Sequence, residues 1–425
     1  MRRVKTTSCY WVFVLLLLVA TFAARVESQA PQAAGTTVFE GARLIVGDGS
    51  APIENAAFVV QNNRFTQVGR RGQVNVPAGA ARVDLTGKTV MPAIIDAHTH
   101  QPRTREALID SLQRKAYYGV AGLISLGQDP GDLPFQVRQE IIPNGAVFRT
   151  AGRGITAPEP GRTDIPYWIT SEAEARKAVQ ELAVKKVDMV KIWVDDRDKQ
   201  YKKLSPELYR AVIDEAHKNN LRVTAHIVTL DDAKTLLRAG LDGFAHTVRD
   251  RDIDDEFVAL IKQRPNFFQV PNLPDRGVKT DLSWVSETVP AAEQKKLQDA
   301  ATDRPPAQQA YGIQARNLAR ENKEGILIAL GTDGNVPWAH HIEMEDMVAA
   351  GMTPSQVIVA STRNAAQVLK LTDMGTVAVG KSADFLVLDA NPLDNITNTR
   401  RIASVYLRGS AVDRAAGRSR WISGK

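Results

Sequence analysis

An alternation that begins near residue 90 constrains this chain more than any other feature. Eight short apolar stretches recur with longer amphipathic ones between them: VMPAIID (90–96), GLISLG (122–127), AVFRTAG (146–152), DMVKIWV (188–194), RVTAHIV (222–228), GFAHTV (243–248), FFQVPN (267–272) and ILIALGTD (326–333). Runs of this length, rich in β-branched residues and bounded by turn formers, read as strands. The intervening stretches carry helix-start signals. SEAEARKAVQELAVKK offers a capping box, Ser171 with Glu174 three residues on. Ser205-Pro206 and Thr353-Pro354 each place a capping hydroxyl before a proline at the first helical position. Eight β-α units predict an α/β chain closed into a (β/α)8 barrel, whose chemistry sits at the C-terminal ends of its strands.

The flanks read differently. Residues 38–90 contain short β stretches with turn signals at Gly47-Asp48-Gly49 and Asn62-Asn63. The tail, MGTVAVGKSADFLVLDANPL and RIASVYLRGSAV (402–412), returns to β character. We expect the two flanks to build one small β-sandwich, from 31–90 and 371–425, around a barrel spanning 91–370. No internal repeat or low-complexity segment interrupts this plan.

Residues 1–30 form a separate unit. Three cations in MRRVKTTSCY precede the apolar run WVFVLLLLVATFAA, and ARVESQA supplies small residues before a cut after Ala30. That is the three-part pattern of a secretory signal peptide, and the run is short of the roughly 20 residues a membrane span needs. The expected product is exported, periplasmic or secreted, with no membrane attachment after cleavage. The one cysteine, Cys9, lies before the apolar run, so the mature chain has no disulfide or thiol chemistry. Arg2, Arg3, Lys5 and Arg25 against Glu27 carry +3 of the formal +6, which leaves the mature protein near +3. A surplus that mild is too small to argue for nucleic-acid or membrane binding, and neither is expected.

The polar residues on the strands carry the chemistry. His98 and His100 end the first strand in MPAIIDAHTH, and residues two apart on a strand point the same way. His226 ends the fifth strand, His246 the sixth and Asp333 the eighth, so four of the chain's seven histidines fall on barrel strands. These are metal-ligand types at the functional face. Lys191 lies inside the fourth strand, where lysine is almost never buried unpaired. Either its head reaches the surface, or it is neutral and takes up carbon dioxide as a carbamate able to bridge two metals. The company of four histidines and an aspartate favours the carbamate.

Taken together, MPAIIDAHTH, VKIWVDD, VTAHIV, GFAHTV, ALGTDG, HIEMEDMVAAGMTPSQVIVASTRNAAQVLKL and MGTVAVGKSADFLVLDANPL make the chain, from about residue 40 to 415, resemble the amidohydrolase superfamily, on its imidazolonepropionase-like and metal-dependent dipeptidase branch. The resemblance implies a distorted (β/α)8 barrel with a β-sandwich, and two divalent metals bridged by a carboxylated lysine and a hydroxide. One metal would take His98, His100, Lys191 and Asp333; the second would take Lys191, His226 and His246. Imidazole and carboxylate ligands suit zinc. The implied reaction is attack by the bridging hydroxide on a carbon–nitrogen bond of an amide, cyclic amide or dipeptide-like small molecule, with Asp333 as general base and then general acid. A dipeptidase of the Xaa-Pro or basic-dipeptide type is the alternative; a deaminase and a catalytically silent binding barrel rank behind it. Two loops depart from the family's pattern, GLISLGQDPGD and APEPGR. Both are expected at the substrate pocket, so the departures bear on substrate.

The remaining polar residues carry weaker expectations. Asp96 is expected to orient the histidine pair or brace the strand end. His341, in a His-x-Glu pattern after the eighth strand, is a candidate substrate contact, with His340 on the surface. Arg249 is a candidate contact for a substrate carboxylate, set against a solvated run with Asp250 and Arg251. His217 belongs to a helix end as a cation on its dipole. Tyr167 and Trp168 stay open between a lid and ordinary packing. A homo-oligomer is compatible with the sequence.

Overall fold

The computed structural model describes residues 35–423, so the expected leader, 1–30, lies outside the described residues. The eight predicted strands form at Ile94–Thr99, Val120–Ser125, Val147–Thr150, Val190–Trp193, Val223–His226, Gly243–Phe244, Phe268–Gln269 and Leu327–Ile328. Consecutive strands pair in parallel from the first to the third and from the fourth to the eighth. Between the third and fourth, the Asp188 amide donates to the Thr150 carbonyl at 3.0 Å, and the two-residue strand Ile155–Thr156 pairs beside Ile192. The circuit is completed where the Ala97 amide donates to the Leu330 carbonyl (2.8 Å) and the Thr332 amide to the His98 carbonyl (2.9 Å). This is a distorted (β/α)8 barrel. Buried branched and aromatic side chains fill both faces of its wall, as parallel sheets covered by helices require.

Helices follow the strands, among them Arg105–Tyr117, Glu172–Val184, Pro206–Lys218, Leu230–Arg238, Asp255–Lys262, Pro305–Lys323 and Ala339–Ala349. The Ser171–Glu174 capping box forms. Thr353 caps its helix too, with Gln356 completing a box. Ser205 does not: it takes the extended N-cap backbone, but its hydroxyl accepts no helix amide. The fixed φ of Pro206 starts that helix without it.

The flanks meet in one sheet of eight strands. Its order is Ser410–Ala411, Ile402–Leu407, Phe385–Leu388, Thr89–Pro92, Thr36–Leu44, Ile53–Gln61, Arg64–Arg70, with Ala81–Asp84 also beside Thr36–Leu44. A cluster of rings fills its interior, with Phe39 stacked on Phe58 at 5.0 Å and Phe385 on Tyr406 at 4.5 Å. Asn62 and Asn63 both take positive φ, the geometry of a two-residue hairpin turn. The stretch VMPAIID does not run as one strand. Thr89–Pro92 pairs in the sheet, the Ala93 amide turns to the Asp384 carbonyl, and the barrel begins at Ile94. A terminal helix, Arg414–Ser423, follows the sheet where the sequence had shown only β character. Among the described residues no helix is long and apolar enough to cross a membrane.

Candidate functional site

The site is assembled at the seam between the first and eighth strands. Asp96 is fully buried and ties that seam together. Its Oδ1 accepts from the amides of Thr332 (3.1 Å) and His98 (3.3 Å), and its Oδ2 accepts from Lys115 Nζ (3.0 Å) and Thr332 Oγ1 (2.8 Å). Asp96 thus braces the strand end as expected. Its partner Lys115, also buried, gave no sign of that role in its helix. The loop carrying Asp333 is thereby pinned to the strand carrying His98, and the Asp333 amide donates to the His98 carbonyl at 2.8 Å. Asp333 sits at φ 50°, a left-handed conformation that aspartate tolerates better than most residues. A side chain on Gly331, two residues earlier, would put its Cβ 2.7 Å from Asn272 Oδ1 and 2.8 Å from His98 Cβ, so only glycine fits.

Around Asp333 the predicted residues converge. His98 Nε2 lies 3.1 Å and His100 Nε2 3.0 Å from Asp333 Oδ1, and His246 Nε2 lies 3.5 Å from Oδ2. Ligand atoms of His98, His246 and Asp333 all fall within 4.8 Å of one another, a spacing one cation can span. Lys191 is fully buried with Nζ 3.4 Å from His98 Nε2, and among the described residues no carboxylate forms an ion pair with it. Both ring nitrogens of His246 and Nδ1 of His100 are buried with no hydrogen-bond partner among the described residues. His226 is placed differently. Its ring packs 4.6 Å from that of His246, but its Nε2 donates to Asp195 Oδ2 at 2.9 Å.

The electrostatics leave these groups in ligating form. Burial draws His98 down to about 3 and His226 to about 4, with the Lys191 charge adding to both and carboxylates opposing, so both imidazoles are neutral near pH 7. His246 is pushed well below its ordinary value by burial and then by Arg249. Burial brings Lys191 down to about 7 against the pull of Asp333, so a large fraction of the amine is neutral and nucleophilic. Burial alone would raise Asp333, but the three histidines outweigh it and hold the carboxyl well below the usual range. Asp195 is lowered for a similar reason: its bonds to His226 and the Arg197 amide overcome its burial.

Asn272 and Asp195 were missed in the sequence. The Asn272 side-chain amide lies 2.7 Å from His98 Nδ1 and its Nδ2 donates to the Ala245 carbonyl (2.7 Å), orienting the ring. Both lie just past the ends of strands, at the positions that singled out the histidines. The same rule applied to every polar type would have found them.

Two expectations need correction. His341 is not a substrate contact: its Nε2 lies 3.0 Å from the Tyr118 carbonyl and its Nδ1 3.0 Å from Thr399 Oγ1, and its ring packs edge-on to Trp284. His340 is not on the surface. It is fully buried and bonds the same Tyr118 carbonyl at 2.8 Å. The helix Ala339–Ala349 turns both inward because its buried face includes Met344 and Met347, which lie in the barrel core. Arg249 lies three residues after His246, with its amide on the Val228 carbonyl (2.9 Å) and its Nε buried without a hydrogen-bond partner among the described residues. His217, in the last turn of its helix, bonds Asp242 at 2.9 Å. Tyr167 packs against the Arg153 guanidinium at 4.0 Å, whereas Trp168 remains partly exposed.

A cavity of about 270 Å³ opens beside Thr332, the neighbour of Asp333. Its walls include Leu273, Val278, Leu282, Val336, Trp338 and Ile342, with Asp275, Glu343 and Asp346 as its acidic groups and Arg276 as its cation.

Comparison with known proteins places this geometry. The model of the Amidohydrolase family matches residues 89–412. Imidazolonepropionase from Deinococcus radiodurans is 25% identical over 394 residues, covering 84% of this chain and 92% of its own. Ochratoxinase from Aspergillus niger is 24% identical over 425 residues, covering 85% and 83%. Among solved structures, a putative prolidase from Bifidobacterium longum superimposes with a TM-score of 0.75 at 27% identity, over 89% of this chain and 95% of its own.

Proposed function

The chain belongs to the amidohydrolase family, and from that premise we propose that it binds two divalent cations at the barrel mouth and hydrolyses an amide or cyclic amide. As a family member it is a hydrolase acting on carbon–nitrogen bonds. The observation that carries the proposal is the convergence of His98, His100 and His246 on Asp333, beside a buried lysine with no ion-pair partner among the described residues. A buried polar atom without a partner costs about 1–3 kcal/mol, and His246 presents two. Neutral imidazoles, an ionised carboxylate and empty hydrogen-bonding capacity are the donor set that a divalent cation requires.

His98, His100, Lys191 and Asp333 would hold one cation, and Lys191, His226 and His246 the second, with Lys191 as a carbamate formed when its neutral amine bonds to the carbon of carbon dioxide and releases a proton. His226 would contribute through Nε2, which faces Asp195. Ions held there would supply Lewis-acid activation of water and of the scissile carbonyl, and this ligand set suits zinc. Asp333, ionised and partly open to solvent, accepts the proton of the attacking water at Oδ2 and returns it to the departing nitrogen. The leader pattern in residues 1–30 supports export. Mature protein recovered outside the cytoplasm should begin after Ala30 by N-terminal sequencing.

Elemental analysis of the mature protein, prepared without chelator, tests the proposal. Two divalent ions per chain, lost together with turnover in Lys191→Ala, are expected. No bound metal after loading with zinc in bicarbonate, or full activity in Lys191→Ala, overturns the bridged centre.

A further inference from the structure

The four histidines of the cluster are not aimed in the same way. The Asn272 amide lies 2.7 Å from His98 Nδ1, and Asp195 lies 2.9 Å from His226 Nε2. His246 has no such partner, but it is fully buried, wedged between the rings of His98 (5.3 Å) and His226 (4.6 Å). His100 has neither support. Its side chain is 24% exposed, its Nδ1 is buried without a hydrogen-bond partner among the described residues, and its ring meets that of His98 on one side only. A ligating histidine ordinarily has its second nitrogen tied down, so something else must hold this one.

The backbone on either side of it is held instead. Before it, Thr99 Oγ1 donates to the Ile124 carbonyl (2.8 Å) and the Thr99 carbonyl accepts from the Leu126 amide (2.9 Å). After it, the Gln101 amide donates to Ser125 Oγ at 3.3 Å. Ser125 Oγ donates in turn to Asp129 Oδ1 (2.7 Å), and Thr150 Oγ1 donates to Asp129 Oδ2 (2.5 Å). Because the Ser125 proton goes to Asp129, the hydroxyl oxygen is left to accept from Gln101. Ser125 and Thr150 end the second and third barrel strands, which supply none of the proposed ligands. The same loop also brushes Lys191: a Cβ on Gly127, at φ 91°, would lie 3.0 Å from Lys191 Cγ and 2.6 Å from the Trp193 ring. GLISLGQDPGD departs from the family's pattern and was expected at the substrate pocket. Its polar anchors are buried, Ser125 fully and Asp129 at 4% exposure, and they serve the strand of His100 instead.

We propose that Asp129 is a positioning residue: through Ser125 it fixes the backbone beyond His100, and so the aim of His100 Nε2 at the first cation position. The inference rests on the two-cation reading above, and one of its two readouts needs no metal. That readout is histidine-selective NMR of the metal-free, full-length mature protein, with the His100 resonance assigned by its loss in His100→Gln. Ser125→Ala, which deletes the link alone, and Asp129→Ala should both shift or broaden the His100 signal. The signal of His217, at the end of an outer helix, should stay in place. The second readout is zinc binding in bicarbonate, measured by competition with a chromophoric chelator. One of the two ions should bind at least tenfold more weakly in both variants, and the other as in the wild type. Asp129→Asn, which keeps an oxygen for Ser125, should recover part of the loss. An unmoved His100 signal or two wild-type affinities in Ser125→Ala overturn the assignment. Equal weakening of both ions overturns it too, as the mark of a general loss of structure. If Asp129→Ala does not fold, Ser125→Ala decides alone. Failure of the two-cation reading looks different: the wild type takes up no zinc, while the His100 signal still responds to the substitutions.

Discussion

At the scale of single residues, Asp333 shows how much local strain the site tolerates. Its left-handed backbone and the glycine two residues before it are what aim both carboxylate oxygens at three imidazoles. Replacing Asp333 with Asn keeps the size and removes the base. We expect kcat to fall by about 10²–10⁴, with metal content measured on the same sample to separate lost proton transfer from lost binding. Turnover within threefold of the wild type would take the proton-transfer role away from Asp333. Gly331→Ala tests the aim itself, since its Cβ would enter the space of His98 and Asn272; activity should drop although no polar group is altered. The sequence marked His98, His100, His246 and Asp333 through their residue type at strand ends. His341 misled because a helix face cannot be read from a two-residue spacing. Its inward turn depends on Met344 and Met347, three and six residues further along the helix.

At the scale of elements, the buried charges decide what each helix contributes. Lys115, on the helix Arg105–Tyr117, reaches the core only to meet Asp96 and Thr332. Removing one partner of a buried pair leaves the other unpaired, so Lys115→Met should cost about 3–5 kcal/mol, read as a fall in the denaturation midpoint. A loss under 1 kcal/mol would mean that the network does not hold the seam. The helix Pro305–Lys323 has the opposite problem. Glu321 is fully buried with neither carboxylate oxygen partnered among the described residues, and burial raises it to about 8 from an ordinary 4.5. Below pH 4.5 both folded and unfolded chains hold the proton. Between pH 4.5 and 8 only the folded chain holds it, so stability falls as pH rises through that window. By pH 7 the loss is on the order of 3 kcal/mol. Glu321→Met should therefore be more stable than the wild type at pH 8, with the difference shrinking toward pH 5. A difference that does not vary with pH would show that Glu321 is not protonated in the native state.

At the scale of the whole molecule, the barrel was legible because each strand announces itself alone: a short apolar run, a turn former, then helix chemistry. The limits of that legibility lie where two elements share one run of residues. VMPAIID reads as one strand, yet it serves two sheets, because Ala93 sends its amide to Asp384 at the far end of the chain. No local pattern in residues 89–96 contains that contact. The same long-range logic governs the site, whose proposed ligands come from the ends of five different strands. A cation gripping those strands binds the folded chain and not the unfolded one, so it adds stability as RT ln(1 + [L]/Kd), about 2.7 kcal/mol at a hundredfold excess over Kd. Chelation should therefore lower the melting temperature by several degrees, and zinc with bicarbonate should restore it. Lys191→Ala should regain little of that increment, because the bridge between the two ion positions is gone, while His98→Ala should lose part of it without abolishing carbon dioxide dependence. If melting is the same with chelator and with zinc, the strand ends are held by the Asp96 network alone, and the cluster around Asp333 is not a cation site.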